Sequence, residues 1–106
     1  MAITIKNNTS NPYLLRIDFK DDMGKTLYTR EPFFHPQTEI TLGHISDFGG
    51  TDFILFSLFS LKDQTSLHKS AFTTYTQEVG NAKLSDIDLS VETASSGECR
   101  ILCKAG

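Results

Sequence analysis

Apolar residues recur at every second position over most of the chain. In YLLRIDFK, residues 13–20, the side chains of Tyr13, Leu15, Ile17 and Phe19 fall on one side and those of Arg16, Asp18 and Lys20 on the other, with Leu14 alone out of step. Period two is the mark of a strand with one buried and one wet face. The same pattern sets Ile3 and Ile5 together in AITIK and Ile40 and Leu42 together in TEITL, and it places Ile87, Leu89 and Val91 opposite Asp86, Asp88 and Ser90 in LSDIDLSV. Turn-forming clusters separate these runs: NNTSNP, DDMGK, EPFFHP, DFGGTD, EVGN and ASSGE. The pattern predicts strands over residues 2–7, 13–20, 26–30, 38–42, 53–61, 71–78, 84–91 and 98–104. Only SLKDQTSLHKSAF, residues 60–72, tolerates a turn or two of helix, and no amphipathic stripe persists there. Strands with one apolar face must cover it with a second sheet, so the expected fold is all-β: a single domain over residues 1–106, an antiparallel β-sandwich of seven to eight strands.

One segment breaks the alternation. In TDFILFSLFSLKD, residues 51–63, seven of the nine residues from Phe53 to Leu61 are large and apolar. As a helix those nine residues would rise only about 13 Å against a hydrocarbon core of about 30 Å, so a transmembrane helix is excluded. As a strand the segment is apolar on both faces, the character of a central strand covered on either side. The predicted core is Ile3, Ile5, Leu15, Ile17, Phe19, Phe53, Leu55, Leu58, Ile87, Leu89 and Ile101.

Charge removes some functions. Ten basic and thirteen acidic side chains are interspersed, with a net charge of -3, and no basic stripe is present to neutralise a phosphate backbone. Nucleic acid is not an expected partner. The opening MAITIKNNTS lacks the charged and apolar regions of a secretory signal. The expected location is therefore the cytoplasm, or outside the cell by a route that needs no such signal. Cys99 and Cys103 on one strand would stand about 13 Å apart, too far for a disulfide, so both are expected as free thiols facing the core on either side of Ile101.

Three segments carry candidate chemistry. GHISDFGGTD, residues 43–52, gathers His44, Ser46, Asp47 and Asp52, but no nucleophile elbow or second site-forming element accompanies them, so a polar loop turned by Gly49 and Gly50 is expected and no catalytic residue is assigned. Asp47, Asp52, Asp86 and Asp88, with Asp63, are the oxygen donors for calcium should loops at one end converge; no D-x-D-x-D-G loop is present, and neither a metal nor a cofactor is assigned. EPFFHP, residues 31–36, confines Phe33, Phe34 and His35 between two prolines and is expected as a stiff loop or sheet edge. One or both phenylalanines turning inward would plug the core. Held outward, Phe33, Phe34 and His35, with Tyr28 and Tyr75, would form an aromatic rim for a membrane lipid or glycan. His35, His44 and His68 are far apart in sequence, and Asn7 and Asn8 each match a glycosylation sequon.

The run ITIKNNTSNPYLLRIDFKDDMGKTLY resembles the opening of the aegerolysins, small β-sandwich proteins whose first strand ends in an asparagine-rich turn and whose second leads to a Gly-Lys, here Gly24 and Lys25. GHISDFGGTDFILF is similar to that family's passage through glycines into a strand, and SSGECRIL to its closing hairpin, so that about half the chain is touched. The chain departs from the family in having no tryptophan and no aromatic Cys-Pro-Trp segment. The resemblance implies recognition of membrane lipid, often sphingolipid with sterol, and action with a larger pore-forming partner. Together these readings describe a non-enzymatic binding module. The alternative is a structural or interaction protein, an assembly subunit, inhibitor or immunity-type partner, that binds another protein through a sheet edge.

Overall fold

The computed structural model of the chain describes residues 2–44, 49–60, 73–79, 86–95 and 97–105. They form nine strands: β1 (Ala2–Asn7), β2 (Tyr13–Lys20), β3 (Thr26–Arg30), β4 (Phe33–Phe34), β5 (Glu39–His44), β6 (Phe53–Ser60), β7 (Thr73–Glu78), β8 (Ile87–Thr93) and β9 (Cys99–Ala105). Sheet one runs β5-β1-β8-β9 and sheet two β3-β2-β6-β7, with β4 paired to β2. The all-β sandwich is thus the observed fold. Its ninth strand, β4, lies inside EPFFHP, where the prolines limit pairing to two residues. Among the described residues no helix is long and apolar enough to cross a membrane.

The sandwich is not antiparallel throughout, because β1 and β8 run parallel, with Ile3 opposite Ile87 and Ile5 opposite Leu89. Period-two patterning is the same for either direction. Direction is set by the connections: after β1 the chain passes through sheet two twice before β8 arrives beside β1, and a crossover of that length permits parallel pairing.

The core lies between the sheets. Ile3 and Ile5 from β1, Leu42 from β5 and Leu89 and Val91 from β8 meet Leu15, Ile17 and Phe19 from β2 and Ile54, Phe56 and Leu58 from β6, all essentially without exposure. Phe34 is fully buried among them. Each such side chain contributes about 1.5–3 kcal/mol on burial. Ile87 and Ile40 pack half-buried at the margin.

Two residues of the expected core are corrected. Phe53 and Leu55 are only half-buried, and Ile54 and Phe56 take their place beside Leu58. The reason is register: Leu15, Ile17 and Phe19 stand opposite Leu58, Phe56 and Ile54, and directly opposed residues share a face. The inward set of β2 therefore selects the even-numbered residues of β6, and Phe53, Leu55 and Phe59 go to the outer face. The central position of β6, between β2 and β7, agrees with its two-sided apolar character.

Cys99 and Cys103 are free, as expected from their spacing, and both lie on β9 with the same parity as Ile101. Cys99 packs half-buried against the core, and burial pushes its thiol up from the ordinary value, opposed in part by the Tyr13 hydroxyl. Cys103 is exposed rather than core-facing: β9 is the edge strand of its sheet, and the thiol lies at the margin beside Gln77 of β7.

Candidate functional site

The segment between the two prolines divides its aromatic residues between core and solvent. Phe34 stands opposite Tyr13 and Phe33 opposite Leu14. Tyr13 faces the core, so Phe34 follows it inward and is buried; Phe33 takes the other face and remains 45% exposed. His35 returns to Phe33's side, with the two rings 4.4 Å apart and tilted by 51°. Phe34, expected as one of the ligand-contacting residues, instead plugs the core and has no surface to offer.

The backbone beneath this pair is held by a residue whose role the sequence pattern does not reveal. Asn7, at the end of β1 in sheet one, is fully buried. Its Nδ2 donates to the carbonyl oxygens of Asn11 at 2.9 Å, His35 at 3.2 Å and Phe34 at 3.3 Å. Its Oδ1 accepts from the Thr9 N–H at 3.0 Å and the Thr9 hydroxyl at 2.7 Å. The main chain adds two bonds, Asn7 N–H to the Thr38 carbonyl and Gln37 N–H to the Asn7 carbonyl, both 2.8 Å. Gln37 adopts a φ of 59°, unusual for a residue with a side chain, while its Nε2 donates to the Thr9 carbonyl at 3.0 Å. One asparagine thus ties sheet one to the loop that carries Phe33 and His35. The sequence signals at this position are the sequon and the turn cluster NNTSNP, and neither points to a buried amide. With its amide enclosed, Asn7 has no room for a glycan in the folded chain, and the neighbouring Asn8 donates its amide to Glu92 Oε1 at 2.8 Å.

The other aromatic residues of the expected rim lie elsewhere. Tyr28 stands opposite Phe19, edge-on to it with ring centroids 6.4 Å apart. Phe19 lies five residues along β2 from Leu14, so Tyr28 is about 17 Å from Phe33 and leans toward the other face of the sheet. Tyr75 is on β7, at the opposite edge of sheet two, against Phe56. Three strand spacings, about 14 Å, separate β7 from β3. The structure brings Phe33 and His35 together and leaves Tyr28 and Tyr75 apart from them and from each other.

Tyr75 serves instead to close one side of the sandwich. Its hydroxyl donates to Gln77 Oε1 at 2.8 Å, and the same oxygen lies 3.9 Å from the Cys103 thiol of β9, so a single side chain of β7 joins the two sheets. Burial, and then the Cys103 thiol, push the Tyr75 hydroxyl up from 10.0 to about 12. Since the folded state holds this proton more tightly than the unfolded chain, its contribution to stability is complete below pH 10 and is lost as pH rises toward 12. Thermal melts across that range are expected to show the midpoint falling, and Tyr75→Phe is expected to flatten the fall. An unchanged slope in that variant would remove Tyr75 as its source.

The remaining candidates do not converge. His44 ends β5 with its backbone paired to Ala2, and Asp52 takes part through its main chain, donating to the Lys20 carbonyl and accepting from Val79, both at 2.8 Å. Ser46, Asp47, Asp63 and His68 lie outside the described residues. Gly50, which leads into β6, has a φ of 84°, the left-handed turn geometry expected of the paired glycines. Asp86 Oδ1 accepts from the Ala2 N–H at 3.0 Å, and Asp88 is exposed. Among the described residues no group of three or more His, Cys, Asp or Glu side chains is placed to hold a metal ion. Compared with family models, curated proteins and solved structures, the chain finds no match in any of the three.

Proposed function

We propose that this protein is a non-enzymatic binding module whose contact with a membrane lipid or glycan is made by Phe33 and His35. The observation that carries this reading is the split within one dipeptide: Phe34 is fully buried while Phe33 stays 45% exposed beside the His35 ring. An aromatic face supplies apolar contact to a sugar ring or lipid, and an imidazole supplies hydrogen bonds to hydroxyl or headgroup oxygens. The bonds from Asn7 hold the loop in place before any ligand arrives, which reduces the ordering cost of binding. The resemblance of the chain's opening to the aegerolysins supports the lipid source.

The test is co-sedimentation with vesicles of neutral, anionic and sphingolipid-plus-sterol composition, each with calcium and with chelator, alongside a glycan array. Wild type is expected to bind one vesicle composition or one glycan class. Phe33→Ala is expected to weaken that binding about tenfold or more, as truncation of a central aromatic contact does. Because Phe33 is exposed, its melting temperature should move by no more than about 4 °C. Wild-type failure on every vesicle and glycan, or a Phe33→Ala variant that binds as wild type, would overturn the reading.

A further inference from the structure

We infer that the ligand of the Phe33–His35 site is a neutral glycan, one sugar ring resting on Phe33 while its hydroxyls are held by Glu31, Arg16 and His35. This rests on the proposed contact through Phe33 and His35 and decides between the two ligand classes named there. Phe33 stands on the outer face of sheet two, opposite Leu14. Glu31 and His35, two positions to either side, are exposed. Alternation along an extended chain puts both on the face of Phe33, with Cα atoms about 7 Å from its own.

A third polar group comes from β2. The pairs Leu14–Phe33 and Ile17–Arg30 share one register, and between them the Leu15 N–H donates to the Pro32 carbonyl at 3.1 Å, so Glu31 falls opposite Arg16. Arg16 is anchored through one nitrogen. Its Nε lies 3.3 Å from Oδ1 and 3.2 Å from Oδ2 of Asp18, and the Thr29 hydroxyl donates to the same Oδ1 at 2.8 Å. The Asp18 side chain is 8% exposed and that of Arg16 47%. A buried carboxylate thus orients the guanidinium and leaves its two terminal nitrogens without a partner among the described residues. The Glu31 carboxylate and the ring nitrogens of His35 likewise form no hydrogen bond or ion pair among the described residues.

The mixture of charges selects the ligand. A pyranose ring presents C–H groups on a face, which pack on an aromatic ring, and hydroxyls at its rim that both donate and accept. Glu31 accepts, Arg16 donates and an imidazole does either, and charged partners make hydrogen bonds about twice as strong as neutral ones. Lipid suits the same surface poorly. Hydrocarbon packed on Phe33 would strip water from Glu31 and Arg16 beside it. An anionic headgroup reaching Arg16 would meet the carboxylates of Asp18 and Glu31 as well as the guanidinium. A quaternary ammonium is held by a cage of rings, and Tyr28 is about 17 Å from Phe33.

The test sets an array of neutral, sialylated and sulfated oligosaccharides beside sugar-free vesicles of phosphatidylcholine, with or without phosphatidylserine, and of sphingomyelin with cholesterol. Wild type is expected to bind neutral oligosaccharides and no vesicle. Titration with the neutral oligosaccharide that binds best on the array should give a Kd that moves less than about twofold between about 50 and 500 mM salt, since the ligand carries no charge to screen. Glu31→Ala is expected to weaken binding about tenfold or more, the loss of one charge-assisted bond. Its melting temperature should not change, because Glu31 is exposed and unbonded within the fold. Arg16→Lys keeps a cation beside Asp18 but loses the planar fork, and is expected to weaken binding to a similar degree in a folded protein. Binding to sugar-free vesicles that Phe33→Ala abolishes would overturn the glycan inference and leave the Phe33–His35 contact standing. A preference for sialylated or sulfated sugars, or a Glu31→Ala variant that binds as wild type, would also overturn the inference alone. Failure on array and vesicles together would overturn both.

Discussion

Replacing Asn7 with alanine is expected to cost about 3–5 kcal/mol. Truncation strips the carbonyls of Phe34 and His35 of their shared side-chain donor and leaves the Thr9 N–H without its acceptor, while the Thr9 hydroxyl keeps only the Asn11 carbonyl at 3.2 Å, at a fully buried position that water does not reach. Each such orphaned group costs about 1–3 kcal/mol, offset in part by local relaxation. For a domain of this size the melting temperature should fall by about 12 °C or more. Asn7→Asp is expected to be as damaging at neutral pH, because it turns a carboxylate toward three carbonyl oxygens. Its carboxyl is favoured neutral in the folded state, so the folded state binds the proton more tightly than the unfolded chain and the variant gains stability on acidification. Thermal melts of the two variants at pH 4 and pH 7 check both statements. A loss under about 1 kcal/mol for Asn7→Ala would mean that the main-chain bonds alone hold the loop.

Phe56→Ala is expected to cost about 3–5 kcal/mol, whereas Phe53→Ala, three residues earlier on the same strand, should cost about 1 kcal/mol. Phe56 is fully buried between Ile17 on β2 and Tyr75 on β7, so its removal leaves a cavity that neighbours on two strands cannot both fill. Phe53 lies on the outer face opposite Lys20 and Glu78, where solvent can occupy the vacated space. Aspartate sharpens the contrast: at Ile17 or Phe56 it buries an unpaired charge and should unfold the domain, and at Phe53 it should leave a cooperative fold. Urea titration of the two alanine variants is the direct measurement. Equal losses would mean that the outer face of sheet two is packed as tightly as its inner face.

The elements of this fold were legible because alternation is a local property. In β2, Tyr13, Leu15, Ile17 and Phe19 announce their common face without reference to any other strand, and the same holds for Ile3 and Ile5 in β1. β6 carries no such announcement. With Phe53, Ile54, Leu55 and Phe56 in succession both faces are equally apolar, and the inward set was decided by β2 across the ladder. The candidate site divides in the same way. Two prolines showed that Phe33, Phe34 and His35 would be held irregularly, but which phenylalanine turned inward depended on Tyr13 opposite Phe34. Tyr28 and Tyr75 match that pair by residue type alone, and the strand order places them on opposite edges.

Asn7 marks the boundary most clearly. A sequence shows an asparagine in a turn-rich run, which suits a solvated turn or a glycan acceptor equally well. Only the arrival of residues 34–38, nearly thirty positions later in the chain, surrounds that amide with carbonyl oxygens and excludes water from it. By itself the sequence determined the strand-rich class, the sandwich that apolar faces require, the free cysteines and the stiffness between Pro32 and Pro36, since each follows from steric or hydrophobic rules acting over a few residues. Tertiary structure alone decided the parallel pairing of β1 with β8, the inward face of β6, the separation of the aromatic residues and the buried role of Asn7. These depend on which distant groups become neighbours, and an amide or an apolar ring has no fixed role until its neighbours supply the missing donor, acceptor or packing surface.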